Sequence, residues 1–193
     1  MSQAVWAAEI ARDLLEGPLP RRWAHTQGVA AQAQKIGPIL GRDADVVEAA
    51  AWLHDIGYSP DLVGTGFHPL DGARYLRDAW RASPQLCRLV ANHTGALIEA
   101  EERGLAEQLA TEFPAPDSLL YDALTFCDLR TGPDGRSLSV EQRLAEIAAR
   151  YGPDDIVSRS IARSSSQLRE SARAICELAE GGHQQAGPST VVH

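Results

Sequence analysis

Apolar residues recur at spacings of three and four along most of this chain, and strict alternation of apolar with polar residues is nearly absent. A helix of 3.6 residues per turn gathers such a spacing into one apolar stripe, whereas a strand would divide it between two faces. The pattern therefore predicts an all-α fold, a single helical bundle. Gly and Pro set its segments. Ser2 can cap a first helix ending at about Glu16, and Gly17-Pro18 and Pro20 separate it from a second over about residues 21 to 36, stopped at Gly37-Pro38. Asp43 is expected to cap a third that ends near Gly57. A loop from Tyr58 to Phe67 then leads to a fourth helix opened by His68-Pro69, and Ser83-Pro84 opens a fifth in the same way.

Residues 96 to 112 read as one polar helix with Glu99, Glu101, Glu102 and Glu107 on a solvated face. Phe113 to Pro116 breaks the chain, Asp117 caps the next apolar helix, and Thr131 to Arg136 forms a turn-rich loop. Ser139 and Gln142 have the spacing of a capping box. The last helix is expected from about Pro153 to Glu180, with Ser164 to Ser166 as a weak point, and residues 181 to 193 as a disordered tail. In 193 residues with 44% hydrophobic content, this leaves one domain over residues 1 to 180, the C-terminal helices occupying 139 to 180, and no room for a second full domain.

The formal net charge of −8 argues against binding long nucleic acid, which depends on clustered basic side chains. A small anionic substrate is still compatible with it, because a metal ion can dominate the field of one pocket. Cys87, Cys127 and Cys176 are odd in number and widely spaced, so neither a disulfide framework nor a Cys-x-x-Cys metal site is indicated. Glu9, Arg12 and Asp13 interrupt the amino-terminal apolar pattern, unlike a secretory signal, and no apolar run nears the ~20 residues needed to span a bilayer. A cytoplasmic location is the expectation.

Several ionisable residues fall on faces that should be buried. His25 shares a helical face with Val29, Gln32 and Ile36, and His54 shares one with Val47, Ala50 and Ala51. His93 follows Leu86, Leu89 and Val90, and Asp128 follows Leu120, Tyr121 and Leu124, with no Lys or Arg before it on that face. Each has a plain structural reading by itself. A core histidine can be satisfied by a hydrogen bond, His68 can cap a helix, and Asp128 can accept from a tyrosine. Together they point to a shared cation, because a buried carboxylate without one is costly. Imidazole and carboxylate ligands suit iron, manganese, cobalt, nickel or zinc.

These residues resemble the HD superfamily of metal-dependent phosphohydrolases, whose pattern is His, then His-Asp, then Asp on separate helices. The match spans about residues 20 to 130 and reads Arg22-Trp23-Ala24-His25-Thr26, Leu53-His54-Asp55-Ile56-Gly57 and Phe126-Cys127-Asp128. The resemblance implies an all-α HD-domain bundle in which His25, His54, Asp55 and Asp128 hold a first divalent metal. His68-Pro69-Leu70-Asp71-Gly72-Ala73 and Asn92-His93-Thr94-Gly95 are similar to the further histidines of dinuclear HD subgroups. In those, Asp55 would bridge two ions and His68 and His93 would hold the second. The His-Thr-Gly element is similar to bacterial HD-type symmetrical dinucleoside tetraphosphatases. Gly57-Tyr58 is followed by Ser59, which departs from the extension of cyclic-dinucleotide phosphodiesterases, and Leu129 to Asp134 matches no assigned pattern.

The implied reaction is attack of a metal-activated water on a phosphate ester or anhydride of a small nucleotide-like substrate, with His54 and Asp55 as the central residues. Arg130, two residues beyond Asp128, is a candidate for holding a substrate phosphate, and Thr94 is one by resemblance. A phosphate-binding Gly-x-x-x-x-Gly-Lys loop, a Gly-x-Ser-x-Gly elbow and a His-Glu-x-x-His pair are absent, and Gly64-Thr65-Gly66 reads as a flexible pocket lip. Three other readings use the same residues: a di-iron HD-type oxygenase, a mononuclear nucleoside monophosphatase, and a non-catalytic HD module that binds a nucleotide or a partner. The expected partner is a small phosphorylated molecule rather than nucleic acid or membrane, and a homodimer is compatible with the sequence.

Overall fold

The protein is described by a computed structural model over residues 2 to 185. Its elements are α1 (Gln3–Leu15), α2 (Pro20–Leu40), α3 (Ala44–Leu53), α4 (His68–Trp80), α5 (Pro84–Asn92), α6 (Ala96–Arg103), α7 (Ala106–Glu112), α8 (Ser118–Leu129), α9 (Val140–Tyr151) and α10 (Ile156–Gln185). Among the described residues the extended pairing is confined to an isolated bridge between Thr131 and Ser137, so the chain is all-α. No helix among them is long and apolar enough to cross a membrane, and the three cysteines are free.

The core centres on α3, which packs against α1, α2, α5 and α8. Ala49, Ala50 and Ala51 are fully buried, and their small side chains let neighbours approach α3 from several sides at once. Asp45 of α3 also accepts from the backbone N–H groups of Gln3 and Ala4 at 2.9 and 3.2 Å, so a carboxylate from one helix caps the positive end of another. A smaller cluster of Leu129, Leu144 and Leu168 fastens α8, α9 and α10 together. This places α9 and α10 along the flank where α8 carries Asp128.

Several boundaries differ from those the sequence predicts. α2 passes through Gly37-Pro38 and ends at Leu40; proline here removes only one backbone donor near the helix end. α3 stops at Leu53, and a single 3₁₀ turn, Ile56–Tyr58, replaces the expected continuation to Gly57. The segment from 96 to 112 is two helices, broken at Gly104, whose φ of 71° gives a left-handed end; Leu105 N–H then closes back onto the Ala100 carbonyl at 2.8 Å. The serines of α10 do not break it, because Ser164 and Ser165 donate to carbonyls one turn back within the helix. That helix runs to Gln185 rather than Glu180; the remainder of the expected tail, 186 to 193, lies outside the described residues.

Candidate metal centre

His25, His54, Asp55, His68, His93 and Asp128 come from α2, the end of α3, the first turn of α4, the end of α5 and α8, and they meet at one point in the bundle. His25, His54 and Asp128 present ligand atoms within 4.8 Å of one another, and so do Asp55, His68 and His93. Asp55 stands between the two groups. Its Oδ2 is 3.4 Å from His54 Nε2 and 3.8 Å from His25 Nε2, while its Oδ1 is 3.3 Å from His68 Nε2.

Backbone carbonyls set the orientation of three imidazoles. His54 Nδ1 lies 2.8 Å from the Ala51 carbonyl, His93 Nδ1 2.7 Å from that of Val90, and His25 Nδ1 3.0 Å from that of Gly132. A carbonyl only accepts, so each Nδ1 carries the proton and, in the neutral ring, each Nε2 presents a lone pair inward. His25 Nε2 faces Asp128 Oδ1 at 3.1 Å, a contact that needs either a ring proton or a cation between the two atoms. His54 Nε2 and Asp128 Oδ1 are buried without a hydrogen-bond partner. Converging buried acceptors require positive charge between them, and the donor set fits a divalent transition metal.

The electrostatics agree. Burial opposes the Asp55 charge, but Arg22, then His54 and His68, hold its carboxyl well below the usual range. Burial likewise opposes Asp128, and His25, Arg143 and His54 hold it well below that range. Burial pushes His68 well below the ordinary imidazole value, with His93 adding to the shift, and burial together with His54 lowers His93. Both rings are thus neutral, the form that ligates metal. His54 goes the other way: burial lowers it, but Asp55 and Asp128 prevail and raise it, because two carboxylates favour positive charge at this position.

A second set of residues holds the first. Arg22 donates to Asp55 Oδ2 at 2.7 Å and lies over the ring of Tyr58, 3.9 Å from its centroid; Tyr58 in turn stacks on His68 at 3.9 Å. Thr94 donates to Asp128 Oδ2 at 2.6 Å from a backbone with φ 45° and ψ 51°, a left-handed conformation that costs a β-branched residue on the order of 1–3 kcal/mol. The loop that matched no pattern has its own part. A Cβ at Gly135 would lie 2.3 Å from the Ala24 carbonyl oxygen, and one at Gly28 would lie 2.6 Å from that of Gly135, so glycines let this loop reach α2 and present the Gly132 carbonyl to His25.

A cleft open to solvent lies above the centre. Asp55, His68, His93 and Asp128 form part of its floor, and Thr94 lines it. Its walls hold Arg143, Arg150 and Tyr151 from α9, which the sequence did not single out, and Glu99 from α6. Glu99, expected on a solvated face, has a side chain only 14% exposed. Arg130 is a correction. It does not line this cleft; its guanidinium lies 5.9 Å from the ring of Phe126, because two residues along a helix turn it about 200° away from Asp128. The Gly64-Thr65-Gly66 segment is also corrected. Asp71 fastens it, accepting from the N–H groups of Gly64, Thr65 and Gly66 and from the Thr65 hydroxyl at 2.9 to 3.1 Å.

A family model described as HD domain matches residues 22 to 154, well over half of the chain. No curated protein and no solved structure matches it significantly.

Proposed function

We propose that this chain, which belongs to the HD-domain family, is a metal-dependent phosphohydrolase that cleaves a phosphate ester or anhydride of a small nucleotide-like molecule at a two-cation centre. The observation that carries the reading is the position of Asp55, with one carboxylate oxygen toward His25 and His54 and the other toward His68. A single ion would leave one of the two ligand groups without its cation.

Bound divalent cations would supply Lewis-acid chemistry, making water a competent nucleophile near neutral pH and offsetting charge on the phosphoryl oxygens. Asp55 and Asp128 provide the anionic ligands, and the imidazoles of His25, His54, His68 and His93 the neutral ones. Arg22, Thr94 and Arg143 hold the two carboxylates in place. The water gives up one proton to solvent as its oxygen bonds to phosphorus, the bond to the leaving oxygen breaks, and solvent in the open cleft supplies that oxygen with a proton. No side chain need act as a covalent nucleophile. The arginines at the cleft favour a phosphoryl substrate, because a guanidinium donates paired charged hydrogen bonds to such oxygens.

The test is a phosphatase screen of metal-analysed protein over mononucleotides, dinucleoside polyphosphates and cyclic dinucleotides, run beside an oxygen electrode. Hydrolysis, read as phosphate from mononucleotides and as nucleotide products from dinucleoside polyphosphates and cyclic dinucleotides, that disappears in His54→Ala supports the reading. Oxygen uptake with an organic substrate and no such hydrolysis would replace it with the oxygenase reading, and substrate binding without turnover would replace it with the non-catalytic one.

A further inference from the structure

Beside His25, and adjoining the cleft over the metal centre, lies a second recess that opens to solvent. Its lining is Arg21, Arg22, His25, Pro133, Arg143 and Arg150. Arg22, Arg143 and Arg150 are common to both cavities and form the wall between them. Among the described residues, no Asp or Glu lines this second space.

The wall is built rather than incidental. Arg143 and Arg150 lie two turns apart on α9 and therefore on one face. Glu146 lies between them and binds both, pairing with Arg143 at 2.6 Å and with Arg150 through Nε at 2.8 Å. One carboxylate thereby fixes two forks. Arg143 is only 5% exposed, and its Nε is buried without a hydrogen-bond partner. Glu146 fixes this guanidinium, so its place in the wall is set before any ligand arrives.

Charge points the same way. Arg22 pairs with Asp55, and Arg143 approaches Asp128 Oδ1 at 3.6 Å. Those carboxylates are the ones that the cations of the proposed centre would draw on. With the cations bound, four arginines and two divalent ions would face Asp55, Asp128, Glu146 and Glu99, the last already paired with Arg103. The surplus positive charge calls for anionic oxygens beyond those of a single phosphoryl group.

We infer that the arginine-walled cavity is a second oxyanion subsite, taking a phosphate-type group next to the one bound at the metal centre. The inference rests on the phosphohydrolase reading for the identity of that neighbouring group. Two sources share the chemistry: a further phosphate linked within the same substrate, and free inorganic phosphate. A linked phosphate would span both cavities, and free phosphate would occupy the second alone.

The experiment is calorimetric titration of the metal-loaded protein with inorganic tripolyphosphate and with orthophosphate, at fixed free metal. The exposed pair is replaced in the double variant Arg21→Gln/Arg150→Gln, and Arg143→Lys keeps the buried charge while removing the fork. Arg169→Gln, which pairs with Glu141 on the surface, is the control. Circular dichroism and metal content confirm that each variant is folded and loaded. Both subsite variants are expected to weaken oxyanion binding at least tenfold, with the control unchanged. A preference for tripolyphosphate that the variants erase identifies a linked phosphate; arginine-dependent binding of orthophosphate alone identifies the free ion. Binding of both anions that is indifferent to the variants overturns the inference. Arginine-dependent binding without hydrolysis of any phosphate compound would instead sink the phosphohydrolase reading and leave the subsite standing.

Discussion

Arg22 donates to Asp55 Oδ2 at 2.7 Å, so the carboxylate between the two histidine groups is oriented by a side chain one helical turn before His25. A partner of this kind acts on metal affinity through the ligand that it aims. Arg22→Gln is expected to weaken cation binding about ten- to a hundredfold, with Arg22→Lys intermediate because it keeps the charge without the fork. Competition against a metal chelator gives the numbers. Wild-type affinity in folded Arg22→Gln would remove Arg22 from the site's support.

The 3₁₀ turn after Asp55 touches the start of α4 through glycine. A Cβ at Gly57 would lie 2.0 Å from the His68 carbonyl oxygen and 2.7 Å from Gly72 N, both backbone atoms that cannot swing aside. Gly57→Ala should cost about 2–3 kcal/mol in urea unfolding, by forcing apart the segments that carry Asp55 and His68. Gly17, with nothing within 4 Å of its added Cβ, is the comparison. Gly17→Ala should raise stability by no more than about 1 kcal/mol. Equal effects at the two positions would contradict the close approach.

Glu99 gives a pH signature. Burial, opposed by Arg103, raises its carboxyl above the ordinary value of 4.5. With the folded value above the unfolded one, the protonated form is the one that the fold favours. Ionisation therefore begins to cost stability as pH rises past the ordinary value, and the cost is complete above the raised one. Glu99→Gln should melt about 2 °C higher than wild type near about pH 7.5, and this gain should vanish below about pH 4. Thermal melts of EDTA-dialysed protein measure it. A gain that persisted unchanged into acid would assign the effect to something other than ionisation.

Much of the centre was legible because metal ligands break the hydrophobic pattern. His25, His93 and Asp128 are polar residues at core positions of apolar helices, and helical spacing exposes such misfits. The residues that support them were not legible for the opposite reason. Arg22 is adjacent to Arg21, and nothing local distinguishes the one that donates to Asp55 from the one that does not. Arg143 and Arg150 sit in a helix whose charged composition reads as an ordinary surface, and only the packing of Leu144 and Leu168 beside Leu129 turns that face toward the cleft. Arg130 shows the converse, since sequence proximity to Asp128 carries no information about direction around a helix. Gly132 and Gly135 read as turn residues, while their close approach to α2 depends on contacts more than a hundred residues apart in the chain.

The most direct measurement is elemental analysis of freshly purified protein beside Asp55→Ala, His68→Ala and His93→Ala, each checked for folding by circular dichroism. Wild type should carry close to two divalent transition-metal ions per chain, the two histidine variants close to one, and Asp55→Ala almost none. Full metal content in folded Asp55→Ala, or a wild-type chain that binds a single ion with His68 and His93 dispensable, would contradict a centre bridged by Asp55.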